Sequence, residues 1–170
     1  HVNMFPTPSP SRFNPLEAAK FLMGGYSKRE LADLEDTQRF VSGGTGYSAI
    51  QGTKPQTLNF GLVDSPVGML AWIREKLDAW TDNYPWTDEE IITWVFLYYA
   101  NGKAATHIYK ENRTSGNRIV SSYISLPVGI SLFPKEIYKM PRAWANKWAH
   151  IVSYDVHDKG GHFAATETPD

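Results

Sequence analysis

A chain of 170 residues with 42% hydrophobic and 14% aromatic content carries enough apolar material for one packed domain with room for an inserted unit. A formal net charge of −1 offers no basic excess for nucleic acid or an acidic membrane surface, and the lack of cysteine excludes disulfides, thiolate catalysis and cysteine-held metals. The longest apolar run, IITWVFLYYA at 91–100, is too short to span a bilayer, and the opening HVNMFPTPSPSR has neither the charged nor the apolar region of a signal peptide. The absence of an initiator methionine points to a processed or partial chain.

His1–Met4 reads as the end of a strand, and the proline-rich FPTPSPSRFNP at 5–15 as a connector. Helix signals follow in series. Asn14 caps a helix with Pro15 in its first turn and Glu17 behind it, stopped by Gly24-Gly25. Ser27 and Glu30 form a capping box for a helix whose inner face is Leu31, Leu34 and Gln38/Val41. Ser65-Pro66 opens another, with a stripe of Leu70, Ile73, Leu77 and Trp80 and with Arg74, Glu75 and Asp78 outside. Thr87 and Glu90 form a second capping box before a helix over 88–100, which is apolar nearly all round and so predicts cover on both sides until Asn101-Gly102 ends it. From residue 119 the pattern changes to a strand-like run broken by Pro127-Val128-Gly129. A short helical stretch with Trp144 and Trp148 follows, then a compact strand over 149–156 and a glycine loop. The expected organisation is 1–13 core strand end and hinge, 14–118 helical lid, and 119–170 core strands and loops. The fold class is then α/β, with an all-helical lid inserted into the sheet.

The chemistry-bearing candidates are few. His162 is the histidine that follows Gly160-Gly161 after a strand, where open α/β sheets collect ligand and catalytic groups; the competing reading is a polar surface loop. Glu136 follows the preceding strand and could orient that imidazole; equally, it is an ordinary acid in a first helical turn. Tyr47, in GTGYSAIQGTKPQTL, and Tyr109, in HIYKENR, could aim two phenols at one oxygen, or could simply be packing residues. No HExxH, GxGxxG, GxxxxGK[ST] or GxSxG pattern occurs, so neither a metal nor a phosphate cofactor is expected. Asn112-Arg113-Thr114 is a glycosylation sequon short enough to arise by chance.

Five strings in order resemble the epoxide hydrolase family of the α/β-hydrolase fold, most closely its microsomal-type and fungal branch. They are HVNM (1–4), GYSAIQGTKPQTLNFGLVDSPVGMLAWIREKLDAWTD (46–82), IYKEN (108–112), PVGISLFPKE (127–136) and GGHFAATETP (160–169). The resemblance implies two-step opening of an epoxide to a vicinal diol through an aspartyl ester. It assigns Tyr47 and Tyr109 as proton donors, His162 as the base and Glu136 as its acid partner. It also implies that the nucleophilic aspartate, the oxyanion loop and the N-terminal half of the core lie before residue 1, so that this piece alone is inactive. Asp64 sits in a lid motif and is expected to cap the helix at Ser65 rather than to attack. The implied partners are a small apolar epoxide, water and the missing half of the same enzyme. No cofactor, metal or nucleic acid is implied, and no membrane segment lies in this chain. Trp72, Trp80, Trp86 and Trp94 suit a bulky apolar substrate, and a juvenile-hormone-type epoxide lies within the family's range. The compartment stays open between cytoplasm and endoplasmic reticulum. The alternatives are an esterase or dehalogenase on the same scaffold, which would not need the phenols, and a non-enzymatic helical interaction module.

Overall fold

Two parallel strands late in the chain, with helices before, between and after them, are described in residues 1–7, 15–100, 105–115 and 122–169 of a computed structural model. The Asn14 cap, the Glu17 side chain, Pro8 and Pro10 of the connector, the Asn101-Gly102 stop and the boundaries at 13/14 and 118/119 lie outside the described residues. The helices are α1 (Pro15–Leu22), α2 (Lys28–Gly43), α3 (Gly46–Thr53), α4 (Pro55–Asp64), α5 (Pro66–Ala79), α6 (Asp88–Ala100) and α7 (His107–Thr114). Strands β1 (Ile124–Leu132) and β2 (Ala149–Val156) flank the single turn α8 (Arg142–Ala145), and α9 (Ala164–Glu167) follows. Among the described residues no helix is long and apolar enough to cross a membrane.

Local chemistry sets the helix ends. Proline opens α1, α4 and α5, where a missing N–H costs no hydrogen bond. The capping box at Ser27 and Glu30 is closed in both directions, and so is that at Thr87 and Glu90. At α5 the cap is Ser65, whose Oγ accepts from the Gly68 N–H at 3.0 Å. Asp64 is instead the last residue of α4, which corrects the capping role expected for it. Each such cap contributes about 1 kcal/mol. Gly24 turns left-handed, φ +67°, just beyond α1.

Three sequence expectations about buried faces change. In α5 the inner row is Met69, Ile73 and Leu77, and Leu70 is exposed. Rows at spacing four align down one side of a helix, and 70 lies one step around from 69. These residues close a core with Leu62 of α4 and with Ile91 and Val95 of α6. α6 buries Ile91 and Val95 on that side, while Ile92, Phe96 and Leu97 are exposed, so the cover expected all round is not seen among the described residues. In α2, Leu31 and Val41 are exposed, and the buried residues are Asp33 and Thr37.

The reason for the polar face of α2 lies a hundred residues away. Lys139, buried in the crossover after β1, places Nζ 2.9 Å from Asp33, 2.7 Å from Asp36 and 3.0 Å from the Pro134 carbonyl. Thr37 Oγ1 both donates to the Lys139 carbonyl and accepts from its N–H. Partial burial works against ionisation of Asp36, but hydrogen bonds from Lys139 and Arg39 outweigh it and hold its carboxyl below the usual range. Nearby, the Trp144 indole donates to the Tyr26 hydroxyl at 2.9 Å with the rings edge-on.

β1 and β2 pair in parallel, with register shifts around Pro127 and Gly129, the loop-like break in the sequence pattern. Within the described residues the first strand begins at Ile124, positions 119–121 lying outside them, and the crossover carries one helical turn, with Trp148 beyond it. Val2 adds a third position on the other side of β1. Its N–H donates to the Gly129 carbonyl and its carbonyl accepts from the Ser131 N–H, each at 3.0 Å.

Replacing Lys139 removes the buried cation shared by Asp33 and Asp36 and leaves them only the outward-facing Arg29 and Arg39. Lys139→Ala should therefore lower stability in urea unfolding by about 3 kcal/mol. The Asp36 share of the latch is present at neutral pH and fades as acid protonates that carboxyl. A change within about 0.5 kcal/mol, the scale of an ordinary surface substitution, would contradict the latch.

Candidate active site

Neighbouring parallel strands end on the same side of a sheet, so the loops that follow them start side by side. Here they stay together. The His157 N–H donates to the Leu132 carbonyl at 3.0 Å, and Lys135 pairs with Gly161 through its N–H to the Gly160 carbonyl at 3.1 Å. The glycine pair makes the next step possible. Gly160 has φ +105°, a region that L side chains rarely enter. A Cβ on Gly161 would lie 2.4 Å from the Trp80 carbonyl oxygen. That close approach lets the His162 N–H reach Trp80 O at 2.8 Å. Asp82 holds the same loop by accepting from the Gly160 N–H at 3.0 Å, and the Glu167 carboxylate bridges the N–H groups of Gly161 and Asp82 at 3.1 and 2.7 Å.

His162 Nδ1 lies 2.8 Å from Glu136 Oε1. The Glu136 side chain is fully buried and also accepts from the Ile137 N–H at 2.8 Å and from Asn3 Nδ2 at 2.9 Å. The two partners of fixed role, the Ile137 N–H and the Asn3 amide, both donate, and Nδ1 joins them in the tautomer that carries its proton there. A proton on Nδ1 leaves Nε2, on the opposite edge of the ring, as the acceptor. Trp80 and Phe163 pack edge-on to the imidazole at 5.2 and 5.3 Å between centroids.

Tyr47 sits in α3 and Tyr109 in α7, which pack on each other with the two rings 5.9 Å apart and nearly perpendicular. Both rings, His162, Trp72, Trp80, Trp94, Lys76 and Phe163 line one cavity of about 310 Å³. Burial, with Tyr109 beside it, pushes the Tyr47 phenol up from 10.0 to about 12. Burial, with Tyr98 beside it, raises Tyr109 too. Both rings therefore remain neutral donors through neutral and mildly alkaline pH. Lys76 Nζ rests 4.8 Å from the Trp72 centroid and 5.3 Å from that of Tyr47, and burial lowers its pKa.

The four residues singled out in the sequence thus meet: Tyr47, Tyr109 and His162 on the cavity wall, with Glu136 directly behind His162. Glu136 lies in no helix, which removes the first-turn alternative. Tyr47 and Tyr109 both stand on helices. Asn3, Lys76 and Asp82 carry no distinguishing residue pattern of their own, although all three lie in strings that bear the family resemblance. Among the described residues no three His, Asp or Glu side chains group as a metal ion would need.

No protein-family model matches the chain. It is 38% identical over 151 residues to a putative epoxide hydrolase of Stigmatella aurantiaca, covering 84% of this chain and 34% of that protein. It is 35% identical over 167 residues to epoxide hydrolase 1 of Sus scrofa, covering 86% and 37%. The solved structure of Aspergillus niger epoxide hydrolase superposes with a TM-score of 0.81 at 31% identity, covering 98% of this chain and 41% of that one. Juvenile hormone epoxide hydrolase from the silkworm Bombyx mori gives 0.83 at 28%, covering 98% and 44%. The chain therefore spans little more than a third of the curated relatives it matches.

Alkaline titration followed by phenolate absorbance should show one tyrosine fewer ionising near pH 12 in Tyr47→Phe than in the unsubstituted protein. Tyr154, also pushed up by burial to about 12, should remain in both. Loss of a transition near pH 10 instead would place Tyr47 in water and contradict the buried donor.

Proposed function

Because this chain belongs to the epoxide hydrolase family of the α/β-hydrolase fold, we propose that the protein it is part of (the parent protein) adds water to an epoxide to give a vicinal diol. The observation that carries this is the shared cavity. Two phenols 5.9 Å apart face the same hollow as an imidazole tethered to a buried carboxylate. An esterase needs the second half of that arrangement but has no use for the first.

The reaction runs in two steps. A carboxylate supplied by the parent protein outside this sequence attacks one epoxide carbon. A carbon–oxygen ester bond forms, the ring carbon–oxygen bond breaks, and the ring oxygen takes a proton from one phenol. The raised phenol pKa keeps the donor protonated before the attack, and the second phenol supports the developing charge. Next, His162 Nε2 takes a proton from water, and the hydroxide attacks the ester carbonyl. The ester bond to the diol oxygen breaks, and that oxygen takes the proton from His162. The proton shed as the carboxylate re-forms returns to the phenolate. Glu136 holds the imidazole in the tautomer that presents Nε2 and stabilises the imidazolium between the transfers. A cavity of about 310 Å³ walled by Trp72, Trp94 and Phe163 supports a bulky apolar epoxide as substrate.

The test is the parent protein with an aryl or alkyl epoxide, read as diol formed. Diol is expected. Removal of a donor aimed at the developing oxyanion typically costs about 10²–10³-fold. Tyr47→Phe combined with Tyr109→Phe should therefore suppress epoxide opening by at least that factor. Residues 1–170 alone should form no diol, since the attacking carboxylate is supplied from elsewhere. No diol from the parent protein, or ester cleavage that survives the double substitution alongside unaffected epoxide turnover, would overturn the reading.

A further inference from the structure

The sheet brings a third strand end to the acid and base. Val2 pairs with β1 on the side opposite β2, so Asn3 leaves the sheet beside the loops that carry Glu136 and His162. Its side-chain amide spans them. Nδ2 donates to Glu136 Oε2 at 2.9 Å and to the His162 carbonyl oxygen at 2.8 Å. An amide nitrogen has two hydrogens, and here each has one acceptor. The Glu136 oxygen that Asn3 holds is the one turned away from the imidazole, since His162 Nδ1 and the Ile137 N–H both use Oε1. Fixing Oε2 fixes the rotation of the carboxylate, and with it the direction in which Oε1 faces the ring. The second bond anchors the backbone of the residue that bears the imidazole. Carboxylate and ring are thus set against each other by one planar group.

We propose that Asn3 is a positioning residue for the base: its amide couples the Glu136 carboxylate to the His162 backbone and so sets the water-activating geometry. This rests on the function proposed above. The shape of the group matters less than its hydrogens. An aspartate there would have the same outline but would turn lone pairs toward a carboxylate and a carbonyl, repelling both. The phenols stand on α3 and α7, whereas the Asn3 amide bonds to Glu136 and His162, so epoxide opening does not depend on it. Asn3 therefore acts on the second step only.

The experiment is single-turnover quench of the parent protein with an aryl epoxide, following protein-bound ester by intact mass, for the wild type, Asn3→Ala and Asn3→Asp. Ester formation should keep its wild-type rate in both variants. Ester breakdown should slow by about 10- to 100-fold, the scale of a small misplacement at a reacting centre, and more in Asn3→Asp than in Asn3→Ala. In the steady state kcat should fall together with KM, leaving kcat/KM near its wild-type value. Breakdown within about twofold of wild type in both variants would overturn the assignment. So would equal losses in formation and breakdown, which mark general structural damage. A wild type that forms neither ester nor diol overturns the proposed function, and this inference with it; an active wild type with indifferent variants overturns Asn3 alone.

Discussion

The contact between His162 Nδ1 and Glu136 Oε1 rests on a constraint that runs through the whole sheet. A fully buried carboxylate is expensive unless every lone pair finds a donor. Glu136 finds them in separate segments: the amide of Asn3, the backbone of Ile137 and the ring of His162. These come together only if Val2, β1 and β2 pair in parallel and in register. A slip of one residue would turn a different side chain to the site and leave the acid unsatisfied. The geometry that serves the imidazole is thus also what makes burying Glu136 tolerable.

The helical block is fastened to the same two loops. Lys139, three residues beyond Glu136, is gripped by Asp33, Asp36 and Thr37 of α2. The His162 loop is gripped by the Trp80 carbonyl and by Asp82, just past the end of α5. Phe163 enters the edge of the helical core and stacks on Trp80. Tyr47 also meets Trp80, 5.2 Å between ring centroids. A chain of packed rings therefore links a proposed donor in the roof to the proposed base on the floor. Their separation is set by aromatic packing rather than by flexible loop, which in the proposed reaction would keep a reacting oxygen between fixed groups.

How much of this the sequence revealed depended on the distance over which each feature is determined. At α5 the cap was expected at Asp64 and is its neighbour Ser65, but Ser27 and Thr87 were legible as caps because capping is settled within four residues. The facing of α2 was not: Asp33 and Thr37 are inward because of Lys139, and nothing within the helix announces a partner a hundred positions away. Pure apolar pattern pointed to Leu31 and Val41, which are exposed. In α5 the stripe was read one residue late, at Leu70 instead of Met69, an error that periodicity alone permits. In α6 an all-round apolar surface gave no means of telling the covered side from Ile92, Phe96 and Leu97. Consecutive strand ends were enough to set Glu136 beside His162. The pairing of Tyr47 with Tyr109 came from family resemblance, since two tyrosines on separate helices carry no mark of facing each other. Asn3 was passed over because its role depends on pairing across the sheet, to which a four-residue string gives no clue.

The central claim is that the roof phenols and the tethered imidazole serve successive steps on one bound substrate. The most direct measurement is the intact mass of the parent protein carrying His162→Gln after mixing with an aryl epoxide. The account predicts a persistent adduct equal to the mass of the epoxide, which disappears when Tyr47→Phe and Tyr109→Phe are added. No adduct with His162→Gln, or an adduct that forms equally well without the phenols, would contradict it.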